Sequence, residues 1–572
     1  MLSLPERNSL LSPLEWLWLA AVAVLALRPV GDFDTYWQLQ SGRYMWETQT
    51  LITADTFSLA AQAPRLEHCW LHDLLLQAVY ATGGLTLLSL LLPVVVATCA
   101  ALLLCWNLRR VGSPAVVLPV LTLCLIASEP SWAIRPQLWT FLFSLLYLQL
   151  LSRGREEGWR AWGWLPVIML PWCNLHAGCV LGLVLIGLFW CGELWRCLRG
   201  RSSRRSLGQL ALAGTVTLAA AFVNPFGWRI PLGQLWAHAN QFQVQAGLAE
   251  VELLGNMEWL PPTFATVPFF YLVFGLWALL LLLRRRRLDP AEAIFFLAFA
   301  YMGFGQVRHT TLVSLLAGCY LPAGCGELTS RLPGTRLRFV PAAALARWGS
   351  IACLVALVAL RAGHGTIGWG EERTLLPAAA TDFVTERKLP ANLYNAYDWG
   401  GYLMWRLYPD YLVFVDGRQD SREHFLAADT IDNAKPGWEQ LLADSGVNTL
   451  LIRTCYYDTG EPLALVTALS RNPAWALVYR DEVALVYVRR DAAGGSPELA
   501  ALPPREAFRT MLAEASRLYA EDAGRHPALL AMGRASFQLG DAAAARGYYQ
   551  RYLEIDPKSR EAGMALQRLG GQ

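Results

Sequence analysis

Two carboxylates follow the first long apolar run of the chain directly. Asp32 and Asp34 occur in the segment R-P-V-G-D-F-D-T-Y-W, and residues 36–46 predict an amphipathic helix whose aromatic side chains lie at a membrane interface. A carboxylate beside a polar groove can take a proton from an acceptor hydroxyl or amide, or can hold a divalent cation. Both aspartates are therefore candidates for acid–base chemistry.

Two histidines come later in the same polar segment. In E-H-C-W-L-H-D, His68 and His72 are spaced i, i+4 and are expected on one face of a helix, with Asp73 next to the second of them. Histidines at this spacing are suitably placed to bind a cation. No clear third ligand accompanies them, so the presence of a metal stays open.

Further polar side chains recur at the ends of apolar runs. They are Arg135, Asn174, His176, Asn224, Arg229, Arg308 and His309. Ionisable groups at membrane depth are costly and indicate function, although each alone also fits a local role such as capping a helix or reaching towards lipid headgroups. Together they predict a shared cavity at one membrane surface. The planar fork of arginine suits phosphate there, because it pairs with two phosphoryl oxygens at once.

The composition indicates the elements that must position these groups. Of 572 residues, 55% are hydrophobic and only 16% are charged, which excludes a single soluble globule. The balance of 48 Lys+Arg against 45 Asp+Glu also excludes a strongly basic nucleic-acid-binding protein. Eleven apolar runs predict a polytopic helical membrane domain. They lie near 14–30, 85–107, 115–128, 137–152, 162–174, 178–195, 206–222, 264–283, 289–304, 309–323 and 347–361.

The arginines give these spans a direction. If the N-terminus is cytoplasmic, every predicted inner loop is basic, and the predicted outer loops carry only isolated arginines. All the polar candidates above then lie on the outer side. An odd number of spans also places everything after Arg361 outside the cytoplasm. The twelve cysteines include no C-x-x-C pair, so neither a disulfide scaffold nor a zinc ribbon is expected.

The last 210 residues read as soluble. Helical patterns at 381–389, 399–407 and 438–446 alternate with strand patterns at 411–415, 447–452, 475–479 and 483–488, which predicts a small α/β domain. The sequence Asp416-Gly417-Arg418 is expected to form a turn. Beyond residue 503 an Ala-rich helical tail has the spacing of one tetratricopeptide (TPR)-like repeat, and a role in binding a protein partner is expected for it. The predicted domains are 1–364, 365–500 and 501–572.

An ordered series of motifs resembles a known superfamily. G-D-F-D-T-Y-W-Q-L-Q-S-G-R, I-T-A-D-T-F-S, H-C-W-L, R-P-Q-L-W-T-F, N-L-H-A-G and N-P-F-G-W-R are similar to bacterial membrane proteins of the GT-C glycosyltransferase superfamily, relatives of protein O-mannosyltransferases and lipid A aminoarabinose transferases. The resemblance covers about residues 14–325. It continues into N-A-Y-D-W-G-G-Y-L-M-W-R-L and V-F-V-D-G-R of the tail.

This resemblance implies a helical bundle, a polyprenyl-phosphate-linked sugar as donor and inversion at the sugar carbon. Asp34 matches the acidic residue that acts as the base, and Asp32 is the second candidate. Arg308 resembles residues that hold the donor phosphate, with Arg135 and Arg229 as additional candidates. Some relatives use a divalent cation and others do not. Relatives also tend to carry an acidic residue at the position of Cys69. The cysteine puts in doubt a metal-binding or second-acid role for that position, unless Asp73, one turn further on, compensates.

Three functions follow as hypotheses. The first is sugar transfer to a protein, lipid or glycan acceptor at the outer face of the bacterial inner membrane. The second is a non-catalytic scaffold for envelope assembly built on a degenerate bundle; loss of a phenotype on truncating 365–572, with Asp34→Asn silent, would favour it. The third, a transporter, predicts inverted repeats and charges near mid-membrane, and the sequence contains neither.

Overall fold

The protein is described by a computed structural model that covers residues 11–59, 65–233, 235, 258, 260–331, 340–372, 374–418, 421–492 and 500–570. The helices up to residue 363 are α1 Pro13–Leu25, α2 Phe33–Thr48, α3 Trp70–Leu88, α4 Leu91–Val111, α5 Pro114–Ser128, α6 Gln137–Glu157, α7 Trp159–Trp162, α8 Trp164–Leu175, α9 Val180–Leu198, α10 Arg204–Ala221, α11 Pro268–Leu283, α12 Pro290–Gly305, α13 Val307–Ala317, α14 Leu321–Arg331 and α15 Val340–Gly363. The later helices are α16 Ala378–Glu386, α17 Gly400–Leu407, α18 Arg422–Asp432, α19 Trp438–Asp444, α20 Ala464–Leu469, α21 Arg505–Glu521, α22 Ala528–Leu539, α23 Ala542–Ile555 and α24 Arg560–Gly570. The strands are β1 Leu393–Asn395, β2 Thr449–Ile452, β3 Trp475–Arg480 and β4 Leu485–Arg489.

The chain divides into two compact units. The first consists of Met1–Val30 and Glu67–Glu371, and the second of Gly31–Leu66 and Glu372–Gln572. This division differs from the predicted limits 1–364, 365–500 and 501–572, because α2 packs with the residues of the tail. The aspartates at its N-terminus therefore belong to the second unit.

All the named elements of the first unit are helices. Each of the eleven predicted apolar runs coincides with one of its helices. Among the described residues, four segments are long and apolar enough to cross a membrane, and the count becomes five if α13 and α14, which meet at 43°, form one span. Those four segments are Leu91–Val111, Pro114–Ser131, Ala177–Leu198 and Ala342–Gly363. The shorter α1, α11 and α12 are also apolar, so the count of eleven spans stays a prediction.

Local chemistry explains where several of these helices begin. Four helices of the first unit start on proline, which has no N–H to leave unsatisfied at that position. Ion pairs between helices hold the charged side chains of this unit. Arg155 bonds Glu193 at 2.7 Å between α6 and α9, and Arg284 bonds Glu327 at 2.6 Å between α11 and α14.

The second unit has a four-stranded mixed sheet in the order β1-β2-β4-β3. Strand β1 runs parallel to β2, whereas β4 is antiparallel to both β2 and β3, with Leu450 and Leu477 each opposite Tyr487. The predicted hairpin of β3 and β4 and the predicted strand β2 are confirmed. The expected strand over 411–415 is wrong: Val413 makes a single isolated bridge to Ser58.

The core of the second unit combines the sheet with the first tail helices. Strand residues such as Leu450 and Tyr487 are buried in one cluster with Phe508 and Met511 of α21 and Leu529 of α22. Because these helices contribute to the same core as the sheet, the tail packs on the α/β part. Farther along the tail, a side chain added at Gly533 of α22 would meet the Tyr549 ring of α23. The assignment of this tail as TPR-like stays a prediction.

Candidate functional site

The carboxylate pair sits at the N-terminus of α2. Asp32 caps this helix, and its side chain accepts a hydrogen bond from the backbone N–H of Asp34 at 3.1 Å. The indole N–H of Trp37, one turn on, donates to Asp34 Oδ1 at 3.2 Å. The partial positive charge of a helix N-terminus stabilises an ionised carboxylate at this position. Asp32 therefore has a clear structural role, and it holds the backbone at Asp34.

Helix α2 is buried rather than exposed at an interface. Its residues from Thr35 to Gly42 are buried, and the Tyr36 ring meets the Tyr402 ring of α17 edge-on at 5.0 Å. The Arg65 guanidinium covers the Trp37 ring at 5.1 Å from its centre. The prediction of an interfacial helix is therefore wrong for Trp37, because that side chain packs inside the second unit.

Two glycines of the tail approach this helix end closely. A Cβ placed on Gly401, in the first turn of α17, would lie 2.6 Å from the carbonyl oxygen of Phe33. A Cβ on Gly417 would lie 2.8 Å from Oδ1 of Asp34. Real Cβ atoms essentially never show contacts this short, so both positions favour glycine for steric reasons. The motifs G-D-F-D, D-W-G-G-Y and V-D-G-R thus meet around one carboxylate.

The turn that carries Gly417 is fixed by a buried ion network. Arg418 has no exposed side-chain surface, bonds both Asp416 oxygens at 2.8 and 2.7 Å, and lies 3.0 Å from Asp55 Oδ1. Burial alone would raise the pKa of the Asp416 carboxyl, but the Arg418 guanidinium outweighs burial and brings that pKa below its usual range. The predicted turn at 416–418 is confirmed. Since Asp55 belongs to I-T-A-D-T-F-S, a fourth motif joins the same place.

A second set of polar groups lies in the first unit. His72 is fully buried on α3, and its Nδ1 accepts a hydrogen bond from the Trp139 indole of α6 at 3.0 Å. Burial lowers the pKa of His72 to about 3. Helix α3 begins at Trp70, so the expected placement of both histidines on one helical face is wrong: His68 lies in the turn before the helix. Asp73, next to His72, is also fully buried.

His176 connects several of the predicted residues. Its Nδ1 lies 2.7 Å from the Thr140 hydroxyl oxygen, which also accepts a hydrogen bond from the Trp172 indole at 3.0 Å. Burial is the main cause that lowers the pKa of His176, and electrostatic interactions with His68, Arg308 and His72 lower it further. We call His68, His72, His176 and Arg308 the histidine–arginine cluster. Together with its partners Trp139 and Thr140, the cluster connects H-C-W-L, R-P-Q-L-W-T-F and N-L-H-A-G with the start of α13. Its cationic or hydrogen-bond-donating groups are suited to an anion.

The remaining predicted residues have other surroundings. Arg135 forms an ion pair with Glu258 at 3.1 Å, and Arg229 is exposed. Asn224 closes its own turn, donating to the carbonyls of Ala221 and Gly227, while Asn174 accepts from the Trp70 indole at 3.1 Å. His309 Nδ1 lies 3.3 Å from the carbonyl oxygen of Met302. Among all described residues, no group of three or more His, Cys, Asp and Glu is arranged to hold a metal ion, so a metal at His68 and His72 stays a prediction.

Sequence reasoning did not assign roles to several residues that shape these sites. They are Asp55, Arg65, Trp139, Gly401, Gly417 and Arg418. Most of them fall inside the motifs quoted above, and their place in those motifs is the sequence feature that could have identified them. Arg65 lies outside every motif, and nothing in its sequence surroundings marks it.

Comparison with known proteins finds similar folds among solved structures, at low sequence identity. No protein-family model matches the chain, and no curated protein matches it. Among solved structures, the archaeal oligosaccharyltransferase AglB from Archaeoglobus fulgidus, in complex with an inhibitory peptide and a dolichol-phosphate, is similar with a TM-score of 0.56 and 11% identity over 95% of this chain and 86% of that one. The same enzyme in complex with Zn and sulfate gives 0.53 and 12% over the same shares. ArnT from Cupriavidus metallidurans, bound to undecaprenyl phosphate, gives 0.48 and 14% over 86% and 98%.

Proposed function

We propose that the chain is a GT-C-type glycosyltransferase. It moves a sugar from a polyprenyl-phosphate-linked donor to an acceptor at the extracytoplasmic face of the bacterial inner membrane, with its N-terminus in the cytoplasm and eleven spans. The observation that carries this proposal is the convergence of four separated motifs around the Asp34 carboxylate. The similarity of fold to AglB, which was solved in complex with a dolichol-phosphate, supports the class of donor.

In this mechanism Asp34 is the general base. The acceptor O–H or N–H gives its proton to the Asp34 carboxylate, and the acceptor atom attacks the anomeric carbon of the sugar. The bond from that carbon to the phosphate oxygen breaks, the electron pair stays on the phosphate, and the configuration at the carbon inverts. Asp32 and Trp37 position the carboxylate through the hydrogen bonds described above.

The histidine–arginine cluster supplies the anion chemistry of the proposal. Arg308 stabilises the charge that develops on the leaving phosphate, since fixed donors and cations are most effective where charge appears in the transition state. Arg135 is a weaker candidate for this role because Glu258 already neutralises it. Arg229, exposed at its turn, is weaker as well.

The test is a transfer assay with the full chain in lipid nanodiscs. Radiolabelled undecaprenyl-phosphate-linked hexoses are offered as donors, and membranes of the native host deleted for this chain supply the acceptor. We expect Asp34→Asn to lower the rate by about 10²- to 10⁴-fold, the usual contribution of a general base. Asp410→Asn, an exposed carboxylate of the same unit, is the matched control. Full transfer activity of Asp34→Asn would remove the base assignment, whereas no transfer by the wild-type chain would favour the scaffold hypothesis.

A further inference from the structure

His72 is held in one tautomer by its neighbour. An indole N–H can only donate, so the hydrogen bond from Trp139 requires a lone pair on His72 Nδ1. The ring is neutral at working pH, because burial lowers its pKa to about 3. A neutral imidazole with an accepting Nδ1 carries its proton on Nε2. The structure therefore presents a fixed N–H donor at this position.

That donor has no acceptor among the residues that the structure describes. His72 is fully buried, and its Nε2 has no hydrogen-bond partner among the described residues. A buried N–H without an acceptor destabilises the protein, and natural proteins place such groups mainly where a ligand or water accepts the hydrogen bond. A carbonyl at the position of the Trp139 indole would select the opposite tautomer, in which Nε2 carries a lone pair and cannot donate. The arrangement instead keeps Nε2–H available.

We propose that His72 Nε2–H donates to a phosphate oxygen, so that His72 is a binding residue for the phosphate of the lipid-linked donor; this inference rests on the proposed function. The neighbours favour an anion over a neutral acceptor. His176 interacts electrostatically with His68, Arg308 and His72, so the four groups lie close to one another, and Arg308 brings a fixed positive charge. A neutral His72 adds a directed hydrogen bond to phosphate beside that charge.

The same geometry argues against a metal ion on His72. A metal bound at Nε2 needs the lone pair there, which moves the proton to Nδ1 and points it at the Trp139 N–H. Metal-binding histidines normally donate their other ring N–H to an acceptor such as a carboxylate or a carbonyl. The donor provided by Trp139 is the opposite of that arrangement.

The test measures binding of undecaprenyl phosphate to the full chain in nanodiscs, with inorganic phosphate as competitor. His72→Phe and His72→Asn both remove the Nε2 donor, and we expect about 10- to 100-fold weaker binding, the range for one hydrogen bond to a charged group. His72→Gln places an amide N–H near the original Nε2 and is expected to retain most of the affinity. His364→Phe, at an exposed histidine of the first unit, is the matched control and should not change binding.

A second measurement tests the tautomer without relying on the stability of a His72 variant. ¹⁵N spectra of the histidine-labelled chain should show one neutral ring protonated on Nε2, and undecaprenyl phosphate should shift that resonance. Trp139→Phe should release the tautomer, whereas Trp18→Phe, which removes a buried indole bond to Thr122 of 2.9 Å elsewhere in the unit, should not.

The outcomes separate this inference from the proposed function. Equal affinity of wild type, His72→Phe and His72→Asn for undecaprenyl phosphate overturns the inference and leaves the donor class standing. Binding of inorganic phosphate through His72, without binding of the lipid, supports the phosphate contact and overturns the lipid donor. A wild-type chain that binds neither, or an unperturbed Nε2 resonance, overturns the phosphate contact.

Discussion

Substituting Gly401 tests whether close packing of α17 on α2 holds the Asp34 carboxylate in place. In Gly401→Ala the new methyl group would lie 2.6 Å from the Phe33 carbonyl oxygen and 3.2 Å from the Trp37 nitrogen, where ordinary contact begins at 3.4 Å. Both neighbours are backbone atoms, so the two helices must separate by roughly 0.8 Å. Overpacking of this kind costs about 1–3 kcal/mol, and the better helix propensity of alanine returns less than about 1 kcal/mol. We expect a net loss of about 1–2 kcal/mol.

The assay is hydrogen–deuterium exchange of the full chain in nanodiscs. Peptides covering 33–48 and 400–407 should exchange about 5- to 30-fold faster in Gly401→Ala, the ratio that corresponds to this loss. Gly547→Ala is the matched control, because Gly547 lies inside α23 and a Cβ added there would meet no atom within 4 Å. That variant should stabilise its helix by about 0.5–1 kcal/mol and slow exchange locally. Slower exchange in both variants, or unchanged exchange over 33–48 in Gly401→Ala, would refute the packing argument.

Two further predictions concern charges in the second unit. Arg418→Met removes the guanidinium that pairs with the buried carboxylates of Asp55 and Asp416 and should destabilise the unit by about 3–5 kcal/mol, whereas Arg489→Met, in an exposed pair, should cost less than about 1 kcal/mol. Thermal unfolding of the full-length protein compares the two variants, and equal melting temperatures would contradict the role of the network. Burial raises the pKa of Asp432 to about 7, so the contribution of this carboxyl to stability is intact below about pH 4 and is lost as the pH rises to 7. Asp432→Asn should therefore be more stable than wild type at pH 8, by up to about 4 kcal/mol, and differ little from it at pH 4. A gain in stability that does not depend on pH would contradict this assignment.

Local patterns in the sequence predicted the regular parts of the fold well. The hairpin of β3 and β4 follows from alternating apolar residues on both sides of a polar turn, and the apolar runs coincide with helices. The failures arise where a distant segment decides the local structure. The run 411–415 looks like a strand, yet Val413 finds only Ser58 as a bridge partner, so no strand forms there.

The sequence indicated which residues form the candidate site, but not which of them lie close together. Asp34, Asp32 and the histidines stand out because charged side chains are rare beside apolar runs. Their surroundings depend on contacts between residues far apart in the sequence, such as Gly417 against Asp34 and Trp139 against His72. Arg135 illustrates the limit: it looks equivalent to Arg308 in sequence, and only the structure reveals its ion pair with Glu258.

The inclusion of α2 in the second unit changes which experiment can distinguish an enzyme from a scaffold. Truncating 365–572 removes more than a tail, because it also removes α17 and the turn at Gly417, which together cover the N-terminus of α2. Asp34 would then lose its packing, and activity would disappear whether the tail acts as a scaffold or as a support for catalysis. A truncation phenotype therefore carries no weight between the two hypotheses. Asp34→Asn keeps the packing of α2 and removes the negative charge. A phenotype lost together with transfer in this variant indicates an enzyme, whereas a phenotype that persists without transfer indicates a scaffold.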